Sequence, residues 1–201
     1  MKSLLTPRFA LPMTALLLAL LLLIGVVSHM TAINSGREIS VKAQGYDPRA
    51  ILLGHYVRLT PDASVQLSAE QSSDLEASFD LPESFWSQRV DGWVSFRPLD
   101  NGLWEPVNVS RTRPSVDDKF VIVKTSVLIS ANDRNARPRL FTVNPRLNID
   151  RYYANKREAL MIEDMIRENE DVRLLISVTS DGKPRLKGIE ANGDRMVMTW
   201  W

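Results

Sequence analysis

The stretch FALPMTALLLALLLLIGVV, residues 9–27, runs for 19 residues without a charge. As an α-helix rising about 1.5 Å per residue it is roughly 28 Å long, close to the thickness of a bilayer's hydrocarbon core. The apolar segment of a secretory signal is shorter, about 7 to 15 residues, and is followed by a small-x-small cleavage site. Val26-Val27-Ser28 and Met30-Thr31-Ala32 are poor versions of that site. The stretch therefore reads as an uncleaved anchor that crosses the membrane once. Pro12 lies near its start, where a helix tolerates proline best.

Lys2, Arg8 and the terminal amine precede the run, and Arg8 directly abuts it. Arg37 and Lys42 follow at a greater distance. Positive charge favours the cytoplasmic side, so the N-terminus is expected inside and the rest exported. The expected organisation is a cytoplasmic tail at 1–8, a transmembrane anchor at 9–30, a linker at 31–37 and an exported domain at 38–201. This corresponds to a single-pass membrane protein with its C-terminal domain on the exported side. His29 falls at the interface and reads as a solvated residue, not a ligand.

All 24 acidic residues follow the run and only two of the 25 basic ones precede it, which leaves the far segment with a net charge of −1. Such a balance offers no footprint for nucleic acid. Cysteine is absent, which excludes disulfides, thiolate-ligated metals and thiol catalysis. The two histidines, His29 and His55, show no metal-binding spacing. No metal and no cofactor is expected.

Beyond the anchor the apolar period is two. Ile39, Val41 and Ala43 alternate with Glu38, Ser40, Lys42 and Gln44, the pattern of a half-buried strand. Tyr46-Asp47-Pro48 breaks it, Ile51-Leu52-Leu53 is a short apolar plug, and residues 55–60 read as a second strand stopped by Pro61. Residues 64–87 are polar and acidic, and read as a short helix or a long loop. Asp100-Asn101-Gly102 between two aromatic-rich runs signals a hairpin. Residues 120–129 are apolar on both faces and read as a central strand; Leu140, Phe141 and Val143 make another before Pro145. The sequon Asn108-Val109-Ser110 reads as plain strand residues.

After Tyr153 the period becomes helical. Asn155 and Glu158 resemble a capping box, and Ala159, Ile162 and Ile166 form an apolar stripe with Met161 and Met165 beside it. A meander closes the chain, with turns at Asp181-Gly182 and Asn192-Gly193. Trp200 and Trp201 are expected to pack on the sheet. The expected fold class is α+β, mainly β. It comprises the transmembrane helix, then a small β-barrel or twisted antiparallel sheet with one main helix at about 155–169.

Two segments carry a family resemblance. Asp47-Pro48-Arg49, an apolar stretch, then Gly54-His55-Tyr56 and Leu59 resemble the signature of the GDYXXLXY family of bacterial membrane-anchored proteins. The family pattern is Asp-Pro-Arg, apolar residues, Gly-Asp-Tyr, two variable residues, Leu, one more residue and Tyr. His55 stands where the family has aspartate, and Pro61 where it has tyrosine. Asn148-Ile149-Asp150-Arg151-Tyr152-Tyr153 resembles the family's Gly-Ile-Glu-Arg-Tyr-Phe segment, and Glu163 is a looser match to an acidic residue that follows it. The resemblance covers about 38–193. It implies a companion of multi-span membrane proteins.

The candidate interaction residues are therefore Asp47, Pro48, Arg49, Gly54, His55, Tyr56, Leu59, Asp150, Arg151, Tyr152 and Tyr153. Asp47, Arg49, Asp150 and Arg151 would form an ion-pair network joining the two segments, since an arginine fork meets a carboxylate with two hydrogen bonds; the sharper alternative is a site for an anionic ligand. The tyrosines read as packing residues. Lys124, in an apolar strand, invites comparison with Ser/Lys-type membrane peptidases, with Ser28, Ser35 and Ser40 as partners by position. None of these lies in that family's serine motif, so no catalytic residue is assigned. The expected function is non-enzymatic: a single-span accessory protein whose exported domain binds a polytopic or other envelope protein. The surface around 47–59, near the membrane in sequence, is the expected contact. A Ser/Lys-type envelope hydrolase and an anionic-ligand module are the alternatives.

Overall fold

The structure is a computed structural model and describes residues 7–45, 56–82, 84–115, 117–133, 136, 138–149, 151–154, 156–168 and 171–197. In chain order the elements are α1 (Pro7–Ser35), β1 (Arg37–Gly45), β2 (Tyr56–Pro61), β3 (Val65–Gln66), α2 (Ala69–Phe79), β4 (Ser87–Pro98) and β5 (Trp104–Ser110). There follow β6 (Val121–Ala131), β7 (Phe141–Arg146), β8 (Arg151–Tyr153), α3 (Lys156–Arg167), β9 (Val172–Val178), β10 (Pro184–Ala191) and β11 (Asp194–Val197).

Helix α1 is long and apolar enough to cross a membrane over Ala10–Ser35, and none of its most apolar window is buried against the domain. It does not stop where the apolar run stops. The Thr31 hydroxyl donates to the Val27 carbonyl at 2.9 Å, and that of Ser35 donates to the Thr31 carbonyl at 2.7 Å. Polar side chains satisfied within the helix let it continue to Ser35. The expected linker at 31–37 is thus mostly helix, and Gly36 alone separates α1 from β1. The last turns of α1 pack on β9 and β10, burying Ile33. A Cβ on Gly36 would lie 2.9 Å from the Val178 carbonyl oxygen, so only glycine passes this close to the sheet.

The first sheet has the order β11-β10-β9-β1-β2-β8, and every pairing is antiparallel. Ile39, Val41 and Ala43 of β1 are buried, as their alternation predicts. The closing meander forms as expected, its turns using Gly182, Asn192 and Gly193 at positive φ. Trp200 and Trp201 lie outside the described residues.

The second sheet has the order β3-β7-β6-β4-β5. It curls until its edge strands β3 and β5 touch, giving a nearly closed barrel. β6 is central as expected, with Val121, Val123, Val127 and Ile129 buried. β7 runs through Pro145 instead of stopping before it. β3 pairs only with Val143 and Thr142, so Pro145 has a strand neighbour on one side and its missing N–H costs no ladder bond.

α2 resolves the choice between helix and loop at 64–87, and it adds a second helix to the domain. Ser68 and Gln71 form a reciprocal capping box. The helix straddles the barrel seam: Gln71 Nε2 donates to the Val107 carbonyl of β5 at 2.7 Å, and buried Ser72 Oγ accepts from Phe141 N of β7 at 3.3 Å. Arg139, 5% exposed, pairs with Glu76 of α2 and donates to the Pro82 carbonyl at 3.0 Å. One contiguous core unites both sheets with α2 and α3.

Two substitutions test these junctions. Gly36→Ala should cost about 1–3 kcal/mol, because the backbone of Val178 cannot yield as a side chain would; chemical denaturation of the full chain in detergent measures it. Glu76→Ala, which weakens the pairing of a buried guanidinium, should cost about 1–3 kcal/mol, whereas Glu105→Ala at the exposed Arg97–Glu105 pair should cost less than about 1 kcal/mol.

Candidate functional site

The two signature segments meet as neighbouring strands. β2 pairs with β8 in the register Tyr56↔Tyr153, Val57↔Tyr152 and Arg58↔Arg151. Among the described residues they are joined by main-chain pairing. Of the expected ion-pair network, Asp47, Arg49 and Asp150 lie outside the described residues, as do Pro48, Gly54 and His55. Tyr56, Arg151 and Tyr153 are placed by their backbone.

Position within the sheet corrects one expectation. β1 meets β2 only at its end, through Ala43↔Pro61 and Gly45↔Leu59. Residues 56–58 therefore pair beyond the last residue of β1. Nine residues of strand at about 3.3 Å each carry the chain roughly 27–30 Å from the helix end before this point. The described part of the first signature segment, residues 56–59, is near α1 in sequence and at the opposite end of β1 in space.

Leu59 is fully buried in the core, so it anchors β2 and presents nothing to a partner. Tyr152 is buried as well, and its hydroxyl donates to Glu158 Oε1 of α3 at 3.1 Å. Burial, followed by the charge and hydrogen bond of Glu158, raises the Tyr152 pKa to about 12. This tyrosine ties the signature strand to the helix that covers β1 and β2. Ala159 and Ile162 face that core as their spacing predicts, whereas Leu160 and Met161 remain 45% and 44% exposed on the outer side of α3.

Beside the signature strands a groove of about 290 Å³ opens between the two sheets. Its walls are the end of β2, the end of β7 and the 147–149 connection into β8. Asn148, at φ 54°, turns the chain there. Exposed Arg89 and Arg146 line it, and among the described residues no acidic side chain does. These two arginines carry no sequence signal, because β4 and β7 converge on β2 only through the tertiary fold. Asn148 had one, since asparagine tolerates the left-handed region.

Lys124 does not meet the requirements of a buried base. It is exposed, and its ammonium lies 5.6 Å from the centre of the Trp93 ring. Ser35, one of its expected partners, donates back into α1. Among the described residues no cluster of potential metal ligands occurs. At the helix end His29 Nδ1 contacts Arg185 Nη1, so this histidine is engaged with the domain and not simply solvated.

The class is thus a mainly β protein of two antiparallel sheets behind a single apolar N-terminal helix, with its signature segments paired at one sheet edge. The sequence model of the GDYXXLXY protein matches residues 18–189, and the chain belongs to this family. No curated protein and no solved structure matches it.

Tyr152→Phe should cost about 1 kcal/mol through the lost hydrogen bond to Glu158. A pKa raised on folding, from an ordinary value near 10, gives stability that is complete below pH ~10 and lost as pH rises toward 12. Urea titrations across that window should show the loss in the wild type and a flatter profile in the variant.

Proposed function

We propose that this is a single-span accessory protein of a bacterial inner membrane, whose domain lies in the periplasm and binds a polytopic membrane protein without catalysing a reaction. The observation that carries the proposal is the convergence of both signature segments on one sheet edge beside an open groove. Described parts of two segments far apart in the chain pair as neighbouring strands. The core residue Leu59 and the buried Tyr152 hold that edge in place, which leaves the groove walls as the side available to a partner.

Charge favours a polar contact there. Arg89 and Arg146 would meet acidic loop residues of the partner with paired hydrogen bonds. A small anionic ligand is the second reading and uses the same two arginines. The exposed setting of Lys124, against the Trp93 ring, weighs against a Ser/Lys hydrolase.

A photoreactive residue at Asn144, on the groove wall, tests the proposal in intact membranes. The expected product is a covalent adduct with one multi-span protein, and Arg146→Glu should reduce it several-fold with thermal stability unchanged. Recovery of lipid and unrelated bystanders alone overturns the reading. A small anion that competes the adduct away shifts the assignment to ligand binding.

A further inference from the structure

We propose that the helix-proximal end of the domain is an anionic-phospholipid surface, which seats the domain on the headgroups of the membrane that holds α1. This inference rests on the reading of α1 as a membrane span. Helix α1 continues about 12 Å past Val27, whereas the headgroup layer adds roughly 5–8 Å per leaflet. Its last turns already contact β9 and β10, and Gly36 is the whole connection. The domain therefore begins at the headgroups, without a spacer to lift it away.

The surface at that end has its own construction. β9 returns toward the helix, Arg37 pairing with Val178, and the 179–183 turn then folds onto the barrel. Lys124 N donates to the Gly182 carbonyl at 2.8 Å, and Arg113 Nη2 donates to the Ser180 carbonyl at 2.9 Å. Arg113 and Lys124 both lie against the Trp93 ring, at 5.3 and 5.6 Å from its centre. Arg37 lies 5.5 Å from the centre of Trp104 and donates to the Phe120 carbonyl at 3.1 Å. Arg185 contacts His29.

Among the described residues none of these four cations is paired with a carboxylate. Three acids at this end are already engaged: Asp181 with Lys183 and Thr179, Glu38 with Lys187 and Arg195, and Asp117 with Lys119. Asp91, two residues from Trp93 along β4, and Asp118 form no ion pair among the described residues. Three of the four cations, Arg37, Arg113 and Lys124, are braced on two half-buried tryptophans. Cation–π contact orients each charged head, and a guanidinium held this way keeps N–H groups for a phosphate. Tryptophan and basic residues together are the composition of a membrane interface.

The test reconstitutes the full chain in nanodiscs of phosphatidylcholine alone or with roughly one-third phosphatidylglycerol, and follows amide hydrogen exchange. Exchange in the 179–183 turn should slow at least about five-fold in the anionic discs, the effect of one cation at a charged surface. The Asn192-Gly193 turn, at the far end of β10, should not change. Arg113→Gln with Lys124→Gln should abolish the slowing, and so should high salt acting on the wild-type chain. Equal exchange in the two disc types overturns the proposal, as does slowing that survives salt. Slowing that scales with the number of copies per disc assigns the surface to a second copy and also overturns it. If the double variant loosens the far turn, the salt response of the wild type decides. A chain that fails to enter discs defeats the anchoring reading instead.

Discussion

Strand β1 belongs to two ladders, one on each side in successive parts of its length, and the rest of the molecule is arranged around that fact. On one side it pairs with β9 from Arg37 to Lys42; on the other it pairs with β2 from Ala43 onward. The backbone groups of a central strand must all find partners, so β1 cannot be displaced without breaking two ladders. Because Gly36 joins it directly to α1, the orientation of the helix, the meander and the signature strands are set together. The bulge at Leu186/Gly188 in β10 belongs to the same frame: it falls at Lys187, which bonds Glu38 of β1. Burial opposes ionisation of Glu38, but Lys187 and Arg195 outweigh it and hold its carboxyl below the usual range.

The barrel solves a different problem. A five-stranded sheet that curls leaves two edges facing each other, with unpaired backbone groups on both. Here α2 lies over the seam and supplies side-chain partners, Gln71 to β5 and Ser72 to β7. Arg139 reaches the same helix from the loop before β7. A polar helix suits this place because it contributes hydrogen bonds as much as apolar area. Its weak apolar periodicity, which left helix and loop open on inspection of residues 64–87, follows from that role.

The two ends of the molecule differ in construction. At the helix end cations stand on tryptophan rings, and the 179–183 turn docks on the barrel. At the other end the signature strands pair and the groove opens. The length of β1 keeps them apart. An arrangement of this kind holds the groove at a defined distance from α1, since Gly36 alone joins the helix to β1.

Local chemistry alone accounts for much of this chain. The apolar helix, the alternation in β1, the two-faced β6, the hairpin at Asp100-Asn101-Gly102, the stripe of α3 and the final meander are all periodicities of 3.6 or 2 bounded by turn residues, and such signals survive without tertiary context. The family, too, was legible in two short segments. Register and convergence were not. Which strand lies beside β1, that β2 should pair with β8, and that Arg89 and Arg146 should share a groove are decided by long-range backbone pairing and by how the curled sheet packs on the flat one. Even the distance of strand β2 from α1 depended on the direction of β1, because an extended strand carries its residues away at about 3.3 Å each.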